Sequence, residues 1–140
     1  VHPKPGAREL LIYLADRGIP ALLATGTEYV KARQELEETG LWEYLRGSIC
    51  GSMVTRCKPD PEIYQRAMAL AGAIPGRTLV VEDSQNGIKA GIAAGCKTVL
   101  IPDTWTPTGD FDGKLYACLD TLLELIPIVD KLGRKEEETK

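Results

Sequence analysis

Leu79-Val80-Val81-Glu82-Asp83-Ser84-Gln85-Asn86-Gly87 sets a strand, an acidic pair and a helix start side by side, and the rest of the chain can be placed around it. Residues 78–81 are rich in β-branched side chains and follow Pro75-Gly76, a composition that suits a buried strand of a parallel sheet. Glu82 and Asp83 then fall at the carboxyl end of that strand, the edge at which open α/β sheets bind ligands. Two adjacent carboxylates there form a hard oxygen site suited to Mg²⁺, although by themselves they read equally well as solvated loop acids. Ser84 is placed to cap the following helix. Gly87, Gly91 and Gly95 recur every fourth residue with Ala90 and Ala94 beside them, so one face of that helix is small enough to lie close against the sheet. The same spacing can mark a membrane helix pair, but Lys89 and the short apolar length exclude that here.

The chain has 140 residues, 44% hydrophobic and 26% charged, with a formal net charge of −3. Those proportions describe one globular α/β core, residues 1–133, followed by a charged tail, 134–140, expected to be disordered. No cluster of Lys and Arg forms a basic stripe, which argues against a nucleic-acid surface. No apolar run is long enough to span a bilayer. Cys50, Cys57, Cys96 and Cys118 lack Cys-x-x-Cys spacing and only His2 could add an imidazole, so structural zinc is not expected. Each Cys reads instead as a small core residue in a reducing cytoplasm.

Helix and strand signals alternate along the chain. Ala7, Leu10, Leu11, Leu14 and Ala15 follow one helical face that Gly18 stops. A strand over 19–24 ends in Thr25-Gly26-Thr27, and a helix over 28–39 closes at Gly40. A hydroxyl and free backbone N–H groups at a helix start make a natural phosphate cradle, while an ordinary turn at Gly26 and an N-cap at Thr27 account for the same residues. A short helix over 41–45 uses Trp42 and Tyr44 for packing, and 48–51 forms a weak strand. Asp60 as N-cap, Pro61 at the first helical position and Glu62 in the first turn start a helix that ends at Gly72. Lys58 stands just outside it on a segment straightened by Pro59, able to aim an ammonium at a phosphate or simply to be solvated. A strand over 97–101, a polar loop over 102–113, a short strand within 115–119 and a helix over 119–132 that Pro127 should kink or end complete the pattern. Such alternation predicts a Rossmann-like, three-layer fold with a parallel sheet.

Three polar sites thus follow successive strands in order: Thr25, Lys58 and Glu82-Asp83. With Lys-Pro-Asp-Pro-Glu-Ile-Tyr at 58–64 and Val-Val-Glu-Asp-Ser-Gln-Asn-Gly-Ile at 80–88, the chain resembles the haloacid dehalogenase superfamily. It looks most like the phosphatase and sugar-phosphate mutase branch with an early helical cap. The resemblance implies that Thr25, with the backbone of Gly26 and Thr27, holds a transferring phosphoryl group and that Lys58 neutralises it. It also implies that Asp83 holds Mg²⁺, with Glu82 as a second ligand or a supporting acceptor. Phosphoryl transfer catalysed by positioning and by surrounding cations agrees with those residue types. Cys57 departs from the pattern, because a Gly often precedes that Lys; a positive φ there would strain Cys57.

The family's first motif, an apolar strand ending in Asp-x-Asp-Gly-Thr whose first Asp is the nucleophile, does not precede Pro5, and the cap that follows it is absent from these residues. Asp110-Phe111-Asp112-Gly113-Lys114 imitates the motif but follows Thr106-Pro107-Thr108-Gly109 rather than an apolar strand, and it reads as loop. In the family's sheet the first strand lies centrally, between the strand ending at Thr25 and the one ending at Asp83. Its removal would leave about two strand spacings, roughly 9.6 Å, with unpaired backbone on both sides. The expectation is therefore that Val1 is internal to a longer protein, and that a preceding segment or another chain fills the gap. The expected function is that of a Mg²⁺-dependent phosphatase on a small phosphorylated metabolite, the present chain alone being nearly inactive. A sugar-phosphate mutase and a non-catalytic binding domain are the alternatives.

Overall fold

The computed structural model describes residues 5–102 and 113–138. Its elements in chain order are α1 (Ala7–Asp16), β1 (Leu22–Ala24), α2 (Tyr29–Glu38), β2 (Gly47–Ile49), α3 (Glu62–Ala71), β3 (Leu79–Glu82), α4 (Gln85–Ala93), β4 (Lys97–Leu100), β5 (Ala117–Cys118) and α5 (Leu125–Glu138). Short 3-10 turns at Trp42–Tyr44, Gly51–Met53, Pro75–Arg77 and Leu122–Glu124 link them. The strands form two groups, β1-β2 and β3-β4-β5, parallel throughout. Leu22 stands opposite Gly47, Val80 opposite Thr98 and Leu100 opposite Cys118. β1 and β3 do not pair with each other.

Strand alternation sorts the side chains into two layers. On one face, Val80 joins Ile63, Tyr64 and Met68 of α3 and Ala90 of α4, together with Ile49, Ala94 and Cys96. On the other, Leu79 and Val99 meet Leu10 and Leu14 of α1 and Leu125 and Ile126 of α5. The first cluster spans both strand groups, so α3 and α4 hold β1-β2 and β3-β4-β5 together without a shared ladder. Val81 is 39% exposed, where the sequence predicts burial, because β3 has β4 as its only strand partner among the described residues and its other edge is open.

Packing explains the small face of α4. A Cβ on Gly91 would lie 2.7 Å from the Thr98 hydroxyl and 3.0 Å from a Val80 methyl, so this Gly sets how closely α4 approaches the sheet. Gly95 does not share that role: it lies beyond the helix with φ +81 and turns the chain into β4. Gly18, Gly40 and Gly72 stop α1, α2 and α3 as expected.

Several boundaries differ from the sequence expectation. The strand predicted over 19–24 starts only at Leu22, since the Ile19 N–H closes the end of α1 on the Leu14 carbonyl at 2.9 Å and Pro20 has no N–H to offer. Pro127 neither ends nor kinks its helix, because α5 begins at Leu125 and the ring falls in the first turn, where no intrahelical donor is needed. α5 also continues through Glu138, so the backbone of 134–138 is helical where a disordered tail is expected; Lys135 to Glu138 are all strong helix formers. Residues 139–140 lie outside the described residues, as do His2 and the Asp110-Phe111-Asp112 stretch. Cys50 and Cys96 are buried core residues, whereas Cys57 and Cys118 are exposed, and all four are free thiols. Trp42 packs edge-on to Tyr29, with ring centroids 5.9 Å apart.

Candidate functional site

β3 carries Glu82 to its carboxyl end, and four donors converge on that carboxylate. The Lys58 ammonium and the Tyr64 hydroxyl both donate to Oε2, the hydroxyl at 2.5 Å. The Asp83 N–H and the Ser84 hydroxyl donate to Oε1 at 3.1 and 3.3 Å. Little of the pair is exposed, 18% of the Lys58 side chain and 9% of Glu82. Burial works to raise the Glu82 pKa; the Lys58 charge and the bonds from Lys58, Tyr64 and Asp83 outweigh it and hold the carboxyl below its ordinary value. Burial, and then the Glu82 charge, push the Tyr64 hydroxyl far above its ordinary range, so Tyr64 stays a donor.

Two glycine and cap features make room for this arrangement. A Cβ on Gly87 would fall 2.0 Å from the Glu82 carboxyl carbon, so Gly87 leaves space for the carboxylate rather than for sheet contact. Ser84 caps α4 as predicted, accepting the Gly87 N–H at 3.0 Å, and its hydroxyl proton is left for Glu82.

Lys58 is positioned by the loop that leads into α3. Glu62 accepts the N–H groups of Thr55 and Arg56 at 2.7 and 3.1 Å and the Arg66 guanidinium at 2.8 Å, which ties the loop to the first turn of the helix. Asp60 is not the N-cap, since α3 starts at Glu62 with Pro61 in that position, but its carboxylate still accepts the Glu62 N–H at 3.0 Å. The Lys58-Pro59 peptide is cis, where a segment straightened by Pro59 is expected, and Cys57 does not have a positive φ, so the anticipated strain is absent. The Lys58 ammonium lies 5.2 Å from the centroid of the Tyr64 ring.

At the carboxyl end of β1, the Thr25 N–H bonds the Ile49 carbonyl at 3.1 Å and the Thr25 hydroxyl oxygen accepts the Thr27 N–H at 3.2 Å. The Thr27 carbonyl accepts the Gly51 N–H at 3.1 Å, and a Cβ on Gly51 would lie 2.3 Å from the Gly26 carbonyl oxygen. The loop 25–27 is thus seated on the loop that follows β2. Thr27 does not cap α2, whose first turn begins at Tyr29 after Glu28. Lys58 and Glu82 are brought into direct contact; Thr25, Gly26 and Thr27 make no hydrogen bond to either of them among the described residues.

Among the described residues no three His, Cys, Asp or Glu side chains gather as a metal site. Mg²⁺ needs only one or two protein carboxylates, with water and substrate oxygens completing its shell. Asp83, partly buried at the end of β3, suits that demand. Glu82 suits it less, because both of its oxygens already take protein donors. Sequence reasoning missed Tyr64 as part of this cluster, and the signal was available: a phenol on the apolar face of α3 that also carries Met68, four residues on, needs a buried partner for its hydroxyl.

The model of the haloacid dehalogenase-like hydrolase family matches residues 1–95. A phosphorylated carbohydrates phosphatase of Thermotoga maritima is 34% identical over 95 residues, 68% of this chain and 44% of that protein. CbbY from Rhodobacter sphaeroides, solved in complex with phosphate, superposes with a TM-score of 0.79 at 30% identity, over 87% of this chain and 55% of its own. β-Phosphoglucomutase from Clostridium difficile shares the fold alone, with a TM-score of 0.78 at 20% identity over 98% of this chain and 58% of its own. The chain therefore spans about half the length of the proteins it matches. With the ordered polar sites at the strand ends, the family match and the shared parallel α/β architecture, this chain belongs to the haloacid dehalogenase-like hydrolases.

Proposed function

We propose that the complete protein is a Mg²⁺-dependent phosphatase acting on a small phosphorylated metabolite, and that this chain is the carboxyl-terminal part of its core. The observation that carries the reading is the Lys58-Glu82 pair: a lysine held against a carboxylate at the carboxyl ends of the strands, on the same edge as the Thr25 loop and Asp83. In this reading Thr25, with the backbone of Gly26 and Thr27, binds the phosphoryl oxygens, Lys58 neutralises them, and Asp83 holds Mg²⁺, which supplies further positive charge to the phosphoryl group. Glu82 serves as the acceptor that positions Lys58. The nucleophile is a carboxylate on a strand between β1 and β3, contributed by a preceding segment or another chain. It attacks phosphorus as the substrate's ester oxygen departs, and water then hydrolyses the aspartyl-phosphate. Phosphatase names among the relatives favour hydrolysis over mutase chemistry.

The test is turnover of a generic phosphate monoester with and without Mg²⁺, by the 140-residue chain and by the protein carrying its upstream segment. The longer protein is expected to be active only with Mg²⁺. The short chain should be slower by about six orders of magnitude, the cost of removing a nucleophile from a concerted site. Lys58→Ala should slow the longer protein by about 10²–10³-fold. Magnesium-dependent turnover by the 140-residue chain, or near-normal rates in Lys58→Ala, overturns the proposal.

A further inference from the structure

We infer that Tyr64 is a positioning residue for Lys58, acting through Glu82. The inference rests on the reading of Lys58 as the phosphoryl-binding cation. Two contacts carry it. The Tyr64 hydroxyl donates to Glu82 Oε2, the same oxygen that accepts the Lys58 ammonium, and the Tyr64 ring lies beside that ammonium, 5.2 Å from nitrogen to centroid. Tyr64 is itself 6% exposed and fixed in the core by the face of α3 it shares with Ile63 and Met68. One rigid side chain therefore touches both members of the pair.

The chemistry follows from counting donors. An ammonium has three N–H groups, and among the described residues Glu82 is the only hydrogen-bond acceptor Lys58 meets, which leaves donors for an oxyanion. If Glu82 Oε2 had Lys58 as its only donor, the carboxylate would draw the ammonium inward and compete with a phosphoryl oxygen for it. The Tyr64 hydroxyl takes up part of the charge on that oxygen and fixes where it lies, while the ring supplies a weak attraction on a second side. On the far side, Gly87 leaves room for the carboxylate and the Asp83 N–H and Ser84 hydroxyl hold Oε1. Glu82 is in this way fixed at both oxygens, and Lys58 is aimed by a group that cannot move.

The experiment compares wild type, Tyr64→Phe, Tyr64→Leu and Lys58→Ala in the protein carrying its upstream segment. It uses two readouts: the ¹⁵Nζ–¹H correlation of the Lys58 ammonium, seen only when that group is held and shielded from exchange, and affinity for inorganic phosphate. Amide spectra and Tm report folding. Tyr64→Phe keeps the ring and the core volume, so a folded variant is expected; it should lose the ammonium correlation and bind phosphate about tenfold more weakly, as expected for one lost hydrogen bond to a charged group. Tyr64→Leu should be weaker still. In a Glu82→Gln background, Tyr64→Phe should have no further effect on either readout, a coupling that a merely structural tyrosine would not show. A folded Tyr64→Phe that keeps the ammonium correlation overturns the inference, as does an additive effect with Glu82→Gln. Phosphate affinity unchanged in Lys58→Ala overturns the phosphoryl-binding reading instead, and the ammonium correlation then still decides whether Tyr64 positions Lys58.

Discussion

Glu82 and Asp83 are neighbours in sequence and both are partly buried, and the hydrogen bonds of Glu82 set its role. Reading the chain alone gives two adjacent carboxylates at a strand end, with Glu82 as either a second metal ligand or a supporting acceptor; the structure makes Glu82 the buried centre of a four-donor cluster. Alternation along β3 decides this, since it directs Glu82 to the α3 and α4 face, where Tyr64 and Gly87 wait. The consequence is a specific acid sensitivity. Because the folded Glu82 pKa lies below the ordinary value of about 4.3, its contribution to stability is present above that value. It is lost as pH falls through the folded pKa, where the folded state must also take up the proton. Chemical denaturation followed from pH 7 to pH 3 should show Glu82→Gln less stable than wild type at neutral pH, with the two curves converging in acid. Glu62, whose pKa is also lowered, first by the Thr55 N–H, adds its own slope, so Glu82→Gln keeps some acid dependence. Parallel curves over the whole range would refute the assignment.

At the scale of elements, two helical glycines have opposite roles. Gly91 is pressed against Thr98 and Val80, with no space for a Cβ, while nothing lies within 4 Å of a Cβ built on Gly133 in α5. Gly91→Val should therefore push α4 off β3 and β4 and destabilise by about 1–3 kcal/mol. Gly133→Ala should stabilise by up to about 1 kcal/mol through helix propensity. Urea unfolding at constant m-value checks both signs. The recurrence of glycines was legible from sequence as a close-packing face, but their separate uses were not. Gly87 clears the Glu82 carboxylate, Gly91 meets the sheet and Gly95 turns the chain. Periodicity reports which residues are small and not what lies opposite each of them.

For the whole molecule, the decisive feature is that β1-β2 and β3-β4-β5 are joined by α3 and α4 and not by a ladder. If a strand from a preceding segment occupies the space between them, the outward amides of β1 and β3 exchange fast in the 140-residue chain and become protected in the longer protein. Hydrogen exchange read by mass spectrometry on the two proteins tests this. Equal exchange of residues 22–24 and 79–82 in both would show that no strand is added there.

The sequence by itself determined the order of helices and strands, the glycine stops of α1 to α3, the Ser84 cap and the place of Thr25, Glu82 and Asp83 at the carboxyl ends of strands, because each depends on local propensity or on a short motif. Tertiary structure alone decided that the Tyr64 hydroxyl meets the Lys58-Glu82 pair and that Val81 is exposed. Those outcomes depend on which surfaces meet across tens of residues of chain, and no local pattern encodes the geometry of that meeting.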